Sequence, residues 1–218
     1  MSAPPRRRLP AEARRAQLIG ITLRLIAQDG AVRLTASAIA EQAGITDAAL
    51  FRHFPTLASL IEAAIDHFGD LLRGSLERPE TTPRERLAGF FLHRLALVQA
   101  HPEVLQLAFN ERLADAAGVQ GGHRVGAMVA HSLGFLRETL EAAQTEGTLR
   151  TDVPVAALLW TVTGHMRGAA MATRHHPVQP AHVFRDLLLL IGPATTGPVK
   201  SAPRGALNEG PPAPGEVQ

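Results

Sequence analysis

Apolar residues recur every three to four positions along almost the whole of this 218-residue chain, and that helical period restricts the possible folds more than any other feature. No segment alternates apolar and polar residues in the way that a half-buried β-strand does. Prolines and glycines interrupt the pattern at intervals that suit the ends of helices. The sequence therefore predicts an all-α fold of about nine helices.

Three of these helices are expected in the first quarter of the chain, beginning with residues 11–29. Thr35 is a suitable N-cap for a short second helix, which Gly44 ends, and Thr46 caps a third. The third helix ends before Pro55, because the residue that precedes a proline is biased away from the helical region. Six longer helices follow, with approximate cores at residues 56–76, 83–100, 102–116, 122–146, 153–174 and 180–191.

Composition argues against several classes of protein and site. The chain has no cysteine, and none of its ten histidines lies four residues from another. It also lacks a Gly-rich phosphate loop, a G-x-S-x-G motif and any run of about 18 apolar residues. We therefore expect a cytoplasmic protein that is not an enzyme and has no cofactor, no metal site and no membrane span. A metal sensor is the minor alternative for the histidines.

Positive charge is concentrated at the amino-terminal end. Residues 1–55 carry eight arginines against four acidic residues, a net charge of +4, whereas the rest of the chain has a net charge of −2. A GC-rich coding bias explains the use of arginine in place of lysine, but it does not explain the clustering. The distribution favours a polyanionic partner at this end of the chain.

The segment TASAIAEQAGITDAALFRHF, residues 35–54, predicts two short helices that meet at a glycine turn. This is the layout of a helix-turn-helix, whose second helix enters the major groove of DNA. If Leu50 and Phe54 face the core, the helical wheel places Asp47, Ala48, Phe51 and Arg52 on the exposed side.

The exposed side chains suit contacts with DNA. Arg52 fits guanine or phosphate, Asp47 fits the amino group of cytosine, and Ala48 fits the methyl group of thymine. His53 is ambiguous, since its position allows either packing or a phosphate contact. Hydroxyl groups near the two helix starts suit phosphate oxygens, and these belong to Thr35, Ser37 and Thr46.

The string IAEQAGITDAALFRHFP resembles the recognition segment of the TetR/AcrR family of transcriptional regulators, and AALFRHFP is its most distinctive part. The resemblance spans about Arg14–Ala64 and continues as a helical body of suitable length. It implies a three-helix DNA-binding domain, a fourth helix as connector, and a body that binds a small inducer and dimerises through its last two helices. The implied boundaries are a disordered basic arm (1–10), the DNA-binding domain (11–71), the ligand-binding and dimerisation domain (72–192) and a disordered tail (193–218).

Three positions depart from the family pattern. Phe51 replaces the usual tyrosine, Leu57 replaces a usual lysine, and Ala48 replaces a common glycine. Two phosphate contacts of the family are therefore missing. One hypothesis is that sequence-independent contacts from Arg6, Arg7, Arg8 and Arg33 offset this loss. A solvated arm is the equal alternative for the first three arginines.

The last predicted helix is apolar on almost every side, so every side must be covered. Pairing of the last two helices with their two-fold mates provides such a cover, and burial within one subunit is the alternative. The expected homodimer would hold two recognition helices one turn of DNA apart, to bind a near-palindromic operator. The candidate interface residues are Gly164, Gly168, Ala172, Val183, Phe184, Leu187, Leu190 and Ile191.

The central helices are expected to enclose a mostly apolar pocket with a few polar groups, suited to a small apolar or amphipathic effector. The candidate lining residues are Phe91, His93, Phe109, Asn110, Met128, His131, Trp160, Thr163 and Met166. For each of them, an ordinary core or surface role is the alternative.

These features together predict a homodimeric, ligand-responsive regulator, most simply a repressor whose fourth helix moves when the effector binds. A DNA-binding protein of the same type, with no small inducer and with a protein partner, is the alternative. It would have a fully packed body. A helical enzyme carrying a helix-turn-helix would instead have a pocket with paired titratable groups of shifted pKa.

Overall fold

The computed structural model describes residues 9–30, 33–76, 82–109, 112–172 and 178–193. These residues form nine α-helices and no strand, so the expected fold class is confirmed. The helices are α1 (Ala11–Asp29), α2 (Ala36–Ala43), α3 (Asp47–His53), α4 (Leu57–Arg73), α5 (Pro83–Ala100), α6 (Pro102–Phe109), α7 (Arg112–Thr145), α8 (Val155–Ala172) and α9 (Pro180–Ile191).

Threonine caps begin four of the helices. In each case the threonine side chain accepts a hydrogen bond from the backbone N–H three residues later, which stabilises the helix by about 1 kcal/mol. The caps of α2, α3, α4 and α5 are Thr35, Thr46, Thr56 and Thr82. Local sequence therefore favours the observed starts of α2 to α5.

Two hydrophobic cores organise the molecule. The first joins α1–α4 with residues of α5, α6 and α7, and the second lies among α5, α7, α8 and α9. Helix α4 lies in the first core and contacts both α1 and α7. It therefore connects the helix-turn-helix with the helical body.

The break predicted at residues 118–122 lies at Gly118, where two helical segments of α7 meet at a kink. Only Gly118 leaves the helical conformation, with φ 65° and ψ −174°, and the helix continues through Gly121 and Gly122. A Cβ at Gly121 would lie 3.1 Å from Cδ1 of Ile65 on α4 and closer still to Ala117. Gly121 thus serves the close approach of α4 and α7.

Some expectations concern residues that the structure does not describe. The basic arm with Arg6, Arg7 and Arg8, the side chains of Phe109 and Asn110, and the tail after residue 193 lie outside the described residues. Within the described ranges, every helix is too short or too polar to span a membrane.

Candidate functional site

A tight turn of three residues sets the angle between α2 and α3. Gly44 adopts the left-handed conformation, with φ 64° and ψ 39°, and its N–H donates to carbonyls at the end of α2. The N–H of Ile45 donates to the carbonyl of Ala40, and Thr46 then caps α3. A residue with a side chain is strained in the conformation of Gly44, so this turn favours glycine.

The outer face of α3 is open to solvent. Leu50 is fully buried, and Phe54, which follows the helix, is buried beside it in the first core. His53 is half-buried, and Phe51 is 40% exposed. The exposed side chains of α3 include Asp47, Ala48, Phe51 and Arg52. The helix thus presents one small, one aromatic and two charged side chains outward.

Ser37 and Asp47 contact each other across the motif. The Ser37 hydroxyl donates a 2.6 Å hydrogen bond to Oδ2 of Asp47, which uses its one proton. The bond connects α2 with the first turn of α3, where a carboxylate is also stabilised by the helix dipole. In the free protein, therefore, the candidate DNA-contact residues Ser37 and Asp47 bind each other and join α2 to α3.

The two capping threonines keep a proton available. Oγ1 of Thr35 accepts from the N–H of Ala38 at 3.1 Å, and Oγ1 of Thr46 accepts from the N–H of Ala49 at 3.2 Å. A hydroxyl that accepts at a cap can still donate its proton to another group. Both threonines are exposed, and both can donate to a phosphate oxygen while they cap their helices.

Two arginines of α1 donate hydrogen bonds to the carboxyl ends of α2 and α3. This role was not predicted from the sequence, because these arginines were considered only as positive charges. Arg14 donates to the carbonyl of Ala43 at the end of α2, at 3.3 Å. Arg15 donates to the carbonyl of His53 at the end of α3, and its guanidinium lies 4.1 Å from the ring centre of Phe54. By contrast, Arg33 and Arg52 are exposed, and neither forms an ion pair with a described residue.

A cavity of about 80 Å³ lies inside the helical body. Its walls come from five helices, α4 to α8, and are almost entirely apolar. The described lining residues are Leu72, Phe90, Arg94, Val98, Val104, Val129, Ser132, Leu133, Thr163, Met166 and Ala170. Arg94 is the single charged side chain among them.

Arg94 is 7% exposed and has no acidic partner among the described residues. Its Nε donates to Oγ of Ser75 at 2.7 Å, and its Nη2 donates to the carbonyl of Leu72 at 3.0 Å and to Oγ of Ser132 at 2.8 Å. Burial lowers the pKa of Arg94 to about 10, so the guanidinium stays protonated at neutral pH.

The sequence of α5 contains a signal for Arg94. The residue interrupts an apolar face of α5 that continues at Leu87, Phe90 and Val98, and all four residues are buried. A charge on the buried face of a helix indicates a special environment, since arginine is rarely fully buried without a partner.

The structure separates the residues that were proposed to line one pocket. Thr163 and Met166 line the cavity, whereas Met128 and His131 line a second space of about 260 Å³ between α4 and α7. Phe91 packs inside the body against Phe184, with ring centres 5.5 Å apart. The remaining two members of the set, His93 and Trp160, do not line the cavity either.

His93 is half-buried beside Gly74, near the end of α4. Trp160 is 76% exposed on α8, because α8 turns its opposite face, with Leu159 and Thr163, inward. Trp160 therefore lies on the outer surface of the body, and its prediction as a pocket residue is wrong.

The proposed interface residues also divide into two groups. Phe184, Leu187 and Ile191 are buried within the subunit, so α9 is covered on one side by its own chain. Val183 and Ala172 are half-buried, and Gly164, Gly168 and Leu190 are exposed. Leu189, which was not among the candidates, is 80% exposed. One face of α8 and one face of α9 thus lack a cover in the single subunit.

The amino-terminal segment matches a known family. The sequence model described as "Bacterial regulatory proteins, tetR family" matches residues 18–64. Curated relatives include the nucleoid occlusion factor SlmA of Vibrio vulnificus (strain YJ016), 33% identical over 95 residues, which are 44% of each chain. SlmA of Vibrio cholerae is 32% identical over 99 residues, 45% of this chain and 46% of the relative. The chain thus spans less than half the length of these relatives.

Solved structures share the fold over most of the chain. The ketosteroid transcriptional regulator KstR2 of Mycobacterium tuberculosis has a TM-score of 0.70 at 20% identity, covering 82% of this chain and 95% of that chain. AibR in complex with isovaleryl coenzyme A and operator DNA has a TM-score of 0.66 at 18% identity, covering 81% and 97%. FadR of Bacillus subtilis in complex with stearoyl-CoA has a TM-score of 0.58 at 17% identity, also covering 81% and 97%. At these identities the likeness shows the fold.

Proposed function

We propose that the chain, whose residues 18–64 match the TetR family of bacterial regulatory proteins, is a homodimeric, ligand-responsive repressor that binds a near-palindromic DNA operator in the cytoplasm. The observation that carries the proposal is the position of α4. Leu72 of α4 lines the cavity, while Leu60, Ala64 and Phe68 of the same helix lie in the core that holds α1–α3. A change in the cavity can therefore act on the recognition helix through one rigid element.

Helix α3 is proposed to enter the major groove with its exposed face. Arg52 would donate to guanine or phosphate, and Phe51 and Ala48 would make apolar contacts with thymine methyl groups. Thr35 and Thr46 would donate to phosphates and fix the register. The arginine arm, with Arg6, Arg7 and Arg8, together with Arg33 would add contacts that do not depend on sequence.

The uncovered faces of α8 and α9 are proposed to form the dimer interface. Trp160, Gly164 and Gly168 follow one another at four-residue spacing on the exposed face of α8. A Cβ at either glycine would meet nothing within 4 Å in the single subunit, which leaves room for a helix to approach closely. Leu189 and Leu190 extend the apolar surface onto α9. A two-fold partner of the same chain would cover this surface in a four-helix bundle.

The cavity suits binding better than catalysis. Arg94 is the one titratable side chain among its described lining residues, and a group with a pKa of about 10 is a poor general acid or base at neutral pH. KstR2 and FadR are described as transcriptional regulators, and AibR is described in complex with operator DNA; the AibR and FadR structures contain coenzyme A thioesters. These descriptions support a small effector for the cavity here.

The experiment that tests DNA recognition is selection of bound duplexes from a random-sequence pool. We expect the wild-type protein to enrich a near-palindrome with half-sites about 10 base pairs apart. The Arg52→Ala variant should lose about 1–3 kcal/mol of binding free energy per contact and accept other bases at one position of each half-site. Arg137→Ala, which removes an exposed arginine of α7, is the matched control and should select the wild-type sequence. Enrichment of no sequence by the wild-type protein would contradict the proposal.

A second candidate function follows from the similarity to the nucleoid occlusion factors. In this alternative the protein binds DNA and acts through a protein partner, with no small effector. The two functions differ in the role of the cavity. A thermal-shift screen of small molecules, repeated with the selected duplex, separates them. A compound that stabilises the protein and weakens DNA binding supports the effector, whereas the alternative predicts that no cavity ligand changes the affinity for DNA.

A further inference from the structure

The cavity combines apolar walls with one buried charge. Apart from Arg94, the polar side chains among its described lining residues are Ser132 and Thr163. The Ser132 hydroxyl donates to the carbonyl of Met128 at 3.1 Å, and the Thr163 hydroxyl donates to the carbonyl of Leu159 at 2.8 Å. Both hydroxyl protons are thus used within their own helices. The guanidinium of Arg94 is therefore the hydrogen-bond donor that a ligand in this cavity would meet.

The guanidinium of Arg94 has only neutral partners among the described residues, namely two serine oxygens and one backbone carbonyl. Taking a charge out of water without a counterion is costly. Nη1 makes no hydrogen bond with a described residue, yet no buried side-chain nitrogen in the described part of the chain lacks a partner. Nη1 therefore keeps some accessible surface, and Arg94 is among the residues that line the cavity.

The geometry of Arg94 favours an anion with two oxygens. A guanidinium binds a carboxylate through two parallel hydrogen bonds, and this pairing is stronger than bonds to neutral oxygens. A carboxylate on Nη1 and Nη2 would compete for Nη2 with its present acceptors, the carbonyl of Leu72 and Oγ of Ser132.

One of these competing acceptors belongs to the connecting helix. Leu72 lies in the last turn of α4, and Ser75, which accepts from Nε, follows the end of that helix. Arg94 thus attaches the carboxyl end of α4 to α5. A bound anion that takes over Nη2 would weaken this attachment. The amino-terminal end of α4 follows shortly after α3 in the chain, so a movement of α4 can reach α3.

We propose that Arg94 binds the carboxylate of a small amphiphilic acid whose hydrocarbon part fills the cavity, and that this pairing releases the end of α4 and lowers the affinity for DNA. The inference rests on the proposed function and names the chemical class of its effector. The cavity holds only a short chain as it stands, so longer acids must widen it. Widening the cavity would displace Leu72 on α4, and this displacement would also lower the affinity for DNA.

The test uses straight-chain carboxylates from butanoate to decanoate and their primary amides, which match them in size but carry no charge. We expect carboxylates to raise the melting temperature of the wild-type protein and amides at equal concentration to leave it unchanged. The best carboxylate should weaken binding of the selected duplex by roughly 5- to 150-fold, the usual range of such coupling. Equal effects of acids and amides, or no effect of any acid, would overturn the proposal.

The variant Arg94→Met should abolish the response to carboxylates and still fold. Ser75 Oγ and Ser132 Oγ donate to the carbonyls of Leu72 and Met128, so none of the three acceptors of Arg94 is left without a hydrogen bond. Arg94→Lys keeps the charge without the paired donors and should retain a weakened response. Arg86→Met is the matched control, because Arg86 lies on α5 against Phe135 and outside the cavity, and it should respond like the wild type.

The outcomes separate this inference from the proposed function. A wild-type protein that selects an operator but ignores carboxylates, or an Arg94→Met variant that still responds to them, overturns the role of Arg94 alone. A protein that binds carboxylates through Arg94 without any change in DNA affinity overturns the coupling to α4. A protein that selects no DNA sequence overturns the proposed function itself.

Discussion

Thr46 caps a helix and still has a proton for the phosphate contact that we propose for it. Its oxygen caps α3 while its proton stays available for a phosphate. We expect Thr46→Ala to lower the free energy of unfolding by about 1 kcal/mol, measured by urea denaturation. Thr145→Ala is the matched control, because the Thr145 hydroxyl bonds a carbonyl of its own helix and caps nothing. An equal loss in both variants would contradict the capping role.

Arg15 of α1 contacts the carboxyl end of α3. It bonds the last carbonyl of α3 and lies over the ring of Phe54, so we expect Arg15→Met to lower the free energy of unfolding by about 1 kcal/mol. Binding of the selected duplex should weaken severalfold, because α3 loses its support, as fluorescence anisotropy would measure. Arg24→Met, on the exposed side of α1, is the control. Wild-type affinity and stability for Arg15→Met would show that this contact is dispensable.

At the scale of elements, the kink in α7 lets one helix serve both cores. Before Gly118, Arg112 donates to the carbonyl of Gln28 at 2.8 Å and to that of Ala27, at the end of α1. After it, α7 packs along α4, α5 and α8. The φ and ψ angles of Gly118 lie in a region that is essentially restricted to glycine.

We therefore expect Gly118→Ala to destabilise the protein by about 1–3 kcal/mol, measured by thermal and urea unfolding. Gly126→Ala, at an exposed helical position of α7 with open space around its Cβ, should instead be neutral or stabilise by up to about 1 kcal/mol. If both variants behave alike, the backbone at Gly118 does not require glycine.

Local signals predicted much of this fold. The predicted spans 11–29, 83–100 and 180–191 match α1, α5 and α9, because caps, prolines and glycines act within a few residues. The close approach of α7 to α4 at Gly121 involves Ile65, which is distant in the chain, and no local signal reveals that contact.

The cavity was harder to predict for the same reason. The three partners of Arg94 lie on or beside α4 and α7, between 19 and 38 residues away in the chain. A helical wheel identifies which residues face inward, but it does not show which of them surround a space. Thr163, Met166 and Trp160 were all predicted to line the cavity. Thr163 and Met166 do line it, whereas Trp160 does not, because its face of α8 points outward.

At the scale of the whole molecule, the exposed face of α8 gives a direct test of dimerisation. The double change Gly164→Ala and Gly168→Ala should stabilise the isolated subunit slightly, since both sites are open, but weaken the dimer by about 1–3 kcal/mol per site through overpacking. Trp160, the single tryptophan of the chain, reports the outcome, because its emission should shift to the red when dilution exposes it.

Gly134→Ala on α7 is the matched control for this pair, since its Cβ also meets nothing within 4 Å. It should leave the dilution profile of Trp160 unchanged. Emission that is independent of concentration in the wild-type protein and in the double variant would contradict an interface on this face.

The central claim is that two copies of α3, held by one dimer, engage one duplex together. Native mass spectrometry of the protein with the selected duplex and with a single half-site duplex tests this directly. We expect two chains on the full duplex, and much weaker binding of the half-site, because a half-site duplex can contact only one of the two copies of α3. One chain per duplex, with equal affinity for the full site and the half-site, would contradict the account.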